Sequence, residues 1–405
     1  MARSPAVVVA LYVVTVAVFA DMYITQPLLP QLAGDFGVDA ATAGLTLSAV
    51  VMTTALASSA YGPLSDLLGR RPIMVGGAFV LAVATAGCAL APSLAALVAL
   101  RAAQGMLVPS VSALAVAYIA DELTGDAGLV IGGYMASSIV GGLVGRIGSG
   151  VLAGAFGWRA PFVALAVVTA ASAAVLAVAL PRASRRGVTA RRSRFLPDLA
   201  VSYGAMLKHV RDVRLAGAFA IGAALFFGFI GVFTYLPFAL TAPPFRLSTG
   251  AVAWIYLAYL AGVIVSPLAG RLTGFVSRRL LIAVGIAVAI AGTLMTLDAN
   301  LAVVVAGAVV VCAGMFVAQP VVPTFVAVNA AEAKGSAVAL YQSFYYLGAV
   351  FGSTLPGIAW ERSGWSGVVA SCAGALVVAL LADWLLCGGT PLRAGAHDAR
   401  RELPG

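Results

Sequence analysis

Twelve stretches of about 20 mostly apolar residues follow one another along this chain, each long enough as a helix to cross a hydrocarbon core of roughly 30 Å. They fall near residues 7–29, 43–64, 73–91, 94–118, 129–153, 161–180, 215–238, 250–269, 280–297, 301–326, 337–360 and 367–387, separated by short polar or Gly/Pro breaks. Lipid offers no partner to backbone N–H and C=O groups, so segments of this length must be helices. The expected fold class is therefore an all-α membrane protein with twelve transmembrane helices. Composition excludes a soluble fold, because 62% of the 405 residues are hydrophobic and only 10% are charged. The first stretch carries Asp21 and ends in Pro27 and Pro30 without a small-residue cleavage site. It reads as a retained helix rather than a cleaved signal.

Orientation follows from the basic residues, since cytoplasmic loops retain Lys and Arg. With the N-terminus inside, nineteen of the 24 basic residues fall on the cytoplasmic side, nine of them between Arg182 and Arg214. Only Arg159, Arg246 and Arg362 fall outside, while Arg101 and Arg146 lie within helices. Both termini are thus expected in the cytoplasm of a bacterial cell, with the chain in the inner membrane. The net charge of +9 then reports topology and contact with anionic lipid rather than binding of nucleic acid. Cys88, Cys312, Cys372 and Cys387 are scattered without CxxC spacing, and His209 and His397 lie far apart. Neither a metal, a disulfide nor another cofactor is expected from such spacing.

The chain repeats itself at an offset of 207 residues. Gly128, Tyr134, Gly141, Gly145, Gly150, Gly157 and Trp158 fall on Gly335, Tyr341, Gly348, Gly352, Gly357, Gly364 and Trp365, and Pro30 falls on Pro237. An internal repeat of this size predicts two pseudo-symmetric six-helix bundles, 1–180 and 215–388. Between them runs the basic, Pro197-containing segment 181–214, expected as a cytoplasmic linker, and 389–405 forms a cytoplasmic tail. Small residues four apart also let membrane helices approach closely, which is the plainer reading of Gly141, Gly145, Gly348 and Gly352.

Two segments carry a family resemblance. Gly62-Pro63-Leu64-Ser65-Asp66-Leu67-Leu68-Gly69-Arg70-Arg71-Pro72, in the loop between the second and third spans, resembles the signature loop of the major facilitator superfamily, with Leu67 where a basic residue is usual. Arg101-Ala102-Ala103-Gln104-Gly105 in span four is similar to a motif of the drug:proton antiporter branch. The glycine motif of span five is met by Gly141, Gly145 and Gly150, with Arg146 where that branch has proline. The resemblance implies a transporter, not an enzyme, working by alternating access. Asp66, Arg70 and Arg71 would form a cytoplasmic gate, with Asp66 at the positive end of a helix near Ser336. The plainer alternative is a topology signal and a helix cap.

Charges in hydrocarbon are expensive and face partners or water. Asp21 lies about 21 Å from the cytoplasmic end of span one, while Arg101 and Arg146 lie about 10 Å below the outer face. Asp21 is expected to be the only deep acid, to interact with Arg101 directly or through water, and to form with Arg101 and Arg146 a proton-coupling set. A carboxylate that alternates between a cation and a dry cavity alternates its proton affinity. A purely structural ion pair is the alternative. Aromatic residues crowd the second half, 22 against 11 in the first. Phe233, Tyr341 and Tyr345, with the polar Tyr23, Gln26, Gln104, Tyr134, Ser138, Gln319, Asn329 and Gln342, are the expected substrate cavity. Amphipathic compounds suit such a lining, and cationic ones gain from the ring faces. The expected function is proton-coupled export of drugs or small metabolites by a monomer in the bilayer, as in multidrug resistance. An uncoupled sugar or metabolite facilitator and a non-transporting sensor are the alternatives.

Overall fold

The computed structural model describes residues 5–122, 127–181, 212–272, 275–330 and 334–386. Most of the expected linker, the C-terminal tail, His209, His397 and Cys387 lie outside the described residues, as do the side chains of Asp66 and Ser336. Every regular element among the described residues is helical. The first half comprises α1 (Pro5–Tyr23), α2 (Leu29–Phe36), α3 (Ala40–Leu68), α4 (Arg70–Ala89), α5 (Leu94–Leu107), α6 (Pro109–Glu122), α7 (Ala127–Phe156) and α8 (Arg159–Ala179). The second comprises α9 (Val213–Thr241), α10 (Thr249–Ala253), α11 (Leu260–Leu272), α12 (Arg278–Met295), α13 (Leu301–Ala318), α14 (Val321–Asn329), α15 (Lys334–Gly352) and α16 (Leu355–Leu386).

Among the described residues eleven segments are long and apolar enough to cross a membrane, the last running 47 residues from Leu340 to Leu386. At a rise of about 1.5 Å per residue that segment measures roughly 70 Å, more than two bilayer cores. Gly364 breaks it with φ 61° and ψ −145°. Its repeat counterpart, Gly157, adopts φ 80° where α7 turns into α8. Only glycine takes this backbone without strain, so the same turn recurs and the long segment is two crossings.

Helix starts are fixed by side-chain caps, which satisfy orphan N–H groups of the first turn. Asp39, Ser93, Asp212, Ser248, Ser277 and Asn300 each accept from a backbone N–H two or three residues on. Among the described residues five crossings are broken part-way, one of them by the turn at Ser353 and Thr354 between α15 and α16. A 3-10 turn, Gln26–Leu28, separates α1 from α2, and another, Trp254–Tyr259, separates α10 from α11. Proline interrupts the pair α5 and α6 at Pro109, and α13 and α14 at Pro320.

The repeat holds at the level of contacts. A Cβ on Gly141 would strike the Val16 backbone and one on Gly145 the Ala20 backbone, packing α7 on α1. A Cβ on Gly348 would strike Ala223 and one on Gly352 would strike Phe227, packing α15 on α9. Glycines and partners alike are 207 apart, consistent with two bundles of one design.

The halves meet at the end remote from Pro5. Ser48 Oγ on α3 lies 2.7 Å from Ser353 Oγ and 2.6 Å from Thr354 Oγ1. Glu361 accepts from the Ala40 N–H at 3.2 Å, and Gly154 faces the Gly250 backbone.

Candidate functional site

Two polar clusters lie inside the described helices. The first surrounds Asp21 near the end of α1. Its Oδ1 accepts from Thr85 Oγ1 at 2.8 Å and Gln104 Nε2 at 3.2 Å, and its Oδ2 from Thr169 Oγ1 at 3.0 Å. Asp21, Thr85, Arg101, Gln104 and Thr169 are all fully buried. These donors come from α4, α5 and α8, so the carboxylate is held by three crossings besides its own.

Arg101 does not pair with that carboxylate. Its Nη1 donates to the Asp21 main-chain carbonyl at 2.7 Å and to Gln104 Oε1 at 2.8 Å. Nη2 donates to the Met22 carbonyl at 2.6 Å and Nε to the Thr46 carbonyl at 3.1 Å. The break at Ile24 to Leu28 leaves the last carbonyls of α1 without helical donors, and a guanidinium at a helix C-terminus is suited to them electrostatically. The expected interaction of Asp21 with Arg101 thus exists, but it runs through the backbone and through Gln104.

Arg146 stands apart from this cluster, contrary to the expected set of three. Its Nε donates to Gln26 Oε1 at 2.6 Å and its Nη1 to the Gly142 carbonyl at 2.9 Å. The guanidinium carbon lies 3.8 Å from the centroid of Tyr23, 4.6 Å from Tyr259 and 5.6 Å from Tyr256. Gln26 Nε2 in turn donates to Thr234 Oγ1 on α9 at 3.1 Å. Shared depth does not bring the charges together, because α7 presents Arg146 to the break in the first crossing and to the second half. This is the second cluster, and it joins the halves.

Packed aromatic rings of the second half continue from it. Phe233 packs against Tyr259 with centroids 4.8 Å apart, and Phe229 against Tyr259 at 5.1 Å. Phe226 stacks on Tyr345 at 3.8 Å, and Gln319 Nε2 donates to the Tyr345 hydroxyl at 2.6 Å. Phe233, an expected cavity residue, is fully buried among these rings. Tyr134 donates to the Ser112 carbonyl, Ser138 to the Met135 carbonyl and Asn329 to the Phe325 carbonyl. These three bond within their own half. Tyr341 is buried against Gly222, and Gln342 is exposed.

Asp21 is not the only buried acid. Asp383 on α16 is 2% exposed, with Oδ2 3.6 Å from Arg279 Nε. Its position late in the last crossing, near the start of α12, supplies that cation. Arg70 Nη1 donates to the Ala117 carbonyl at 3.2 Å, and Arg71 donates to the Leu180 and Ala177 carbonyls at 2.9 and 2.6 Å. Both cations sit at the C-terminal ends of α6 and α8, within the first half. Hydropathy also passed over Thr85, Thr169, Thr234, Tyr256 and Tyr259. The threonines read as small residues in apolar spans, but each lies at the depth of a charged or amide partner. That coincidence is the available signal.

Comparison with known proteins places this architecture. The sequence profile of the Major Facilitator Superfamily matches residues 11–330 and 238–404. The inner membrane transport protein YnfM of Escherichia coli (strain K12) is 33% identical, covering 93% of this chain and 89% of that protein. The MFS-type transporter YybF of Bacillus subtilis (strain 168) is 30% identical, covering 91% of this chain and 89% of that protein. Among solved structures, the nucleoside transporter NupG matches with TM-score 0.80 at 14% identity over 94% of this chain and all (100%) of that one. The D-xylose-proton symporter matches with TM-score 0.74 at 17% identity over 95% of this chain and 98% of that one. Profile, relatives and helical architecture agree that this chain is a multi-pass membrane transporter belonging to the Major Facilitator Superfamily.

Proposed function

We propose that the protein is a proton-coupled exporter in which Asp21 carries the proton and the halves rock about the Arg146 cluster. The observation that carries the proposal is the hydroxyl of Thr85. Its Oγ1 lies 2.8 Å from Asp21 Oδ1, 2.8 Å from the Leu81 carbonyl and 2.7 Å from Gln104 Nε2. A threonine hydroxyl has one proton to give and two lone pairs. When Asp21 is ionised, that proton points at the carboxylate. When Asp21 is protonated, the carboxyl donates to Thr85, whose own proton turns to Leu81. Both states are then satisfied without moving a heavy atom. This matters because a buried polar group left unpaired costs about 1–3 kcal/mol, and a buried charge more.

Export rather than uptake is supported by the resemblance of Arg101-Ala102-Ala103-Gln104-Gly105 to the antiporter motif, since Arg101 and Gln104 are both built into the Asp21 cluster. Amphipathic drugs or metabolites suit the aromatic surface from Phe226 to Tyr345. The positive-inside pattern puts the Pro5 end in the cytoplasm, so contacts at the remote end close the outer side, and Arg70 and Arg71 take part in closing the inner one. Purified protein in liposomes with an imposed pH gradient tests the proposal. Addition of a bound compound is expected to move protons in the opposite direction to the compound. Compound flux with no proton movement would leave an uncoupled facilitator.

A further inference from the structure

We propose that Arg146 is the anion-binding group of the substrate site, so that the transported molecule pairs a carboxylate or similar monoanion with a flat apolar body. This rests on the transport reading above but not on proton coupling.

The two membrane arginines differ in how their donors are used. A guanidinium has five N–H groups. Arg101 commits four of them, three to main-chain carbonyls and one to Gln104. Arg146 commits Nε to Gln26 and Nη1 to Gly142 and also bonds the Tyr23 side chain, so its acceptors among the described residues are all uncharged. It is 3% exposed, and no described carboxylate lies within ion-pair distance of it. A buried cation without a counter-charge is costly, and ring faces offset only part of that. A guanidinium with donors to spare has the fork geometry that binds a carboxylate through two parallel bonds. Tyr259 offers a further donor in the same cluster, since its hydroxyl is buried with no partner and its ring centroid lies 4.6 Å from the guanidinium.

Location fits a substrate. Tyr23 and Gln26 come from the first half, and Tyr256, Tyr259 and Thr234 from the second, so an anion here touches both moving bodies. Phe229 and Phe233 continue the surface from Tyr259 and would take the apolar body. Arg146 already lies over the faces of Tyr23, Tyr259 and Tyr256 and repels a second cation there. An anion leaving while a proton enters also moves both charges with an inside-negative potential.

The test is direct binding to the purified full chain of three matched probes: naphthoate, naphthamide and naphthylmethyl trimethylammonium. Naphthoate is expected to bind best. Arg146→Gln is expected to weaken naphthoate by about tenfold or more, the worth of losing charge-assisted hydrogen bonds, with naphthamide little changed. Arg146→Lys, which keeps the charge, is expected to fall between, and Tyr259→Phe to weaken naphthoate selectively. These two variants stand in should Arg146→Gln fail to fold. Absence of naphthoate binding, a preference for the ammonium, or unchanged naphthoate affinity in the Arg146 variants would overturn the proposal. Naphthoate flux that ignores a pH gradient would leave it standing and remove proton coupling. Gradient-driven flux of the ammonium alone would do the reverse.

Discussion

Arg101 illustrates how a motif residue acts through the backbone. Its guanidinium satisfies the carbonyls of Asp21, Met22 and Thr46, and each buried carbonyl left unpaired costs about 1–3 kcal/mol. Arg101→Ala is therefore expected to lose roughly 3 kcal/mol or more of stability, read as a lower unfolding temperature in detergent. Adding Asp21→Asn should not restore it. The sequence alone suggests the opposite, that the double variant is milder because no charge stays unpaired, and a double variant more stable than Arg101→Ala would return the carboxylate as the partner. At Thr85, Val should cut pH-driven transport by about tenfold, the effect of one hydrogen bond to a charged group, and Ser should preserve it. Equal coupling in both variants would show that the hydroxyl does not turn over with the proton. Asp21, Arg101 and Arg146 were legible from sequence, because a charge in an apolar span is conspicuous. Of their partners, Gln26 and Gln104 were among the expected site residues, but Thr85, Thr169 and the Asp21 and Met22 carbonyls exposed by a helix break were not.

At the scale of elements, the helices follow from apolar length, and their closest contacts from glycine. Because Gly348 faces the Ala223 backbone, a side chain there must push α15 off α9, and overpacking of this kind costs about 1–3 kcal/mol. Gly348→Val and its counterpart Gly141→Val are expected to lower folded yield and thermal stability to a similar degree. A tolerant Gly348→Val would mean that α15 shifts freely on α9. The spans and their repeat were legible because hydropathy and glycine spacing survive averaging over about 20 residues. The breaks were not, since Ile24, Leu28 and Leu29 keep the first span apolar straight through its 3-10 turn. Only Pro27, Pro109 and Pro320 hinted at them, and those breaks place Gln26 and the α1 carbonyls against arginines.

For the whole molecule, the arrangement seen here is closed at the end remote from Pro5. Ser48 and Ser353, whose hydroxyl oxygens lie 2.7 Å apart, join the two halves there. Ser48→Cys with Ser353→Cys is expected to cross-link under oxidation and stop turnover, with reductant restoring it. Cross-linking without loss of transport would mean that the halves do not part at this seam. Two bundles were legible from the repeat, but which end they close at was not, because it depends on a few hydroxyl and glycine contacts without a hydropathic signature. Here we propose that Asp21, held by Thr85, Gln104 and Thr169, carries the coupling proton. Asp21→Asn keeps the shape of the carboxylate but cannot titrate, and the decisive measurement is substrate flux in liposomes with and without an imposed pH gradient. The variant should bind and exchange substrate at the parent rate yet gain nothing from the gradient; gradient-driven accumulation equal to the parent's would mean that Asp21 does not carry the proton.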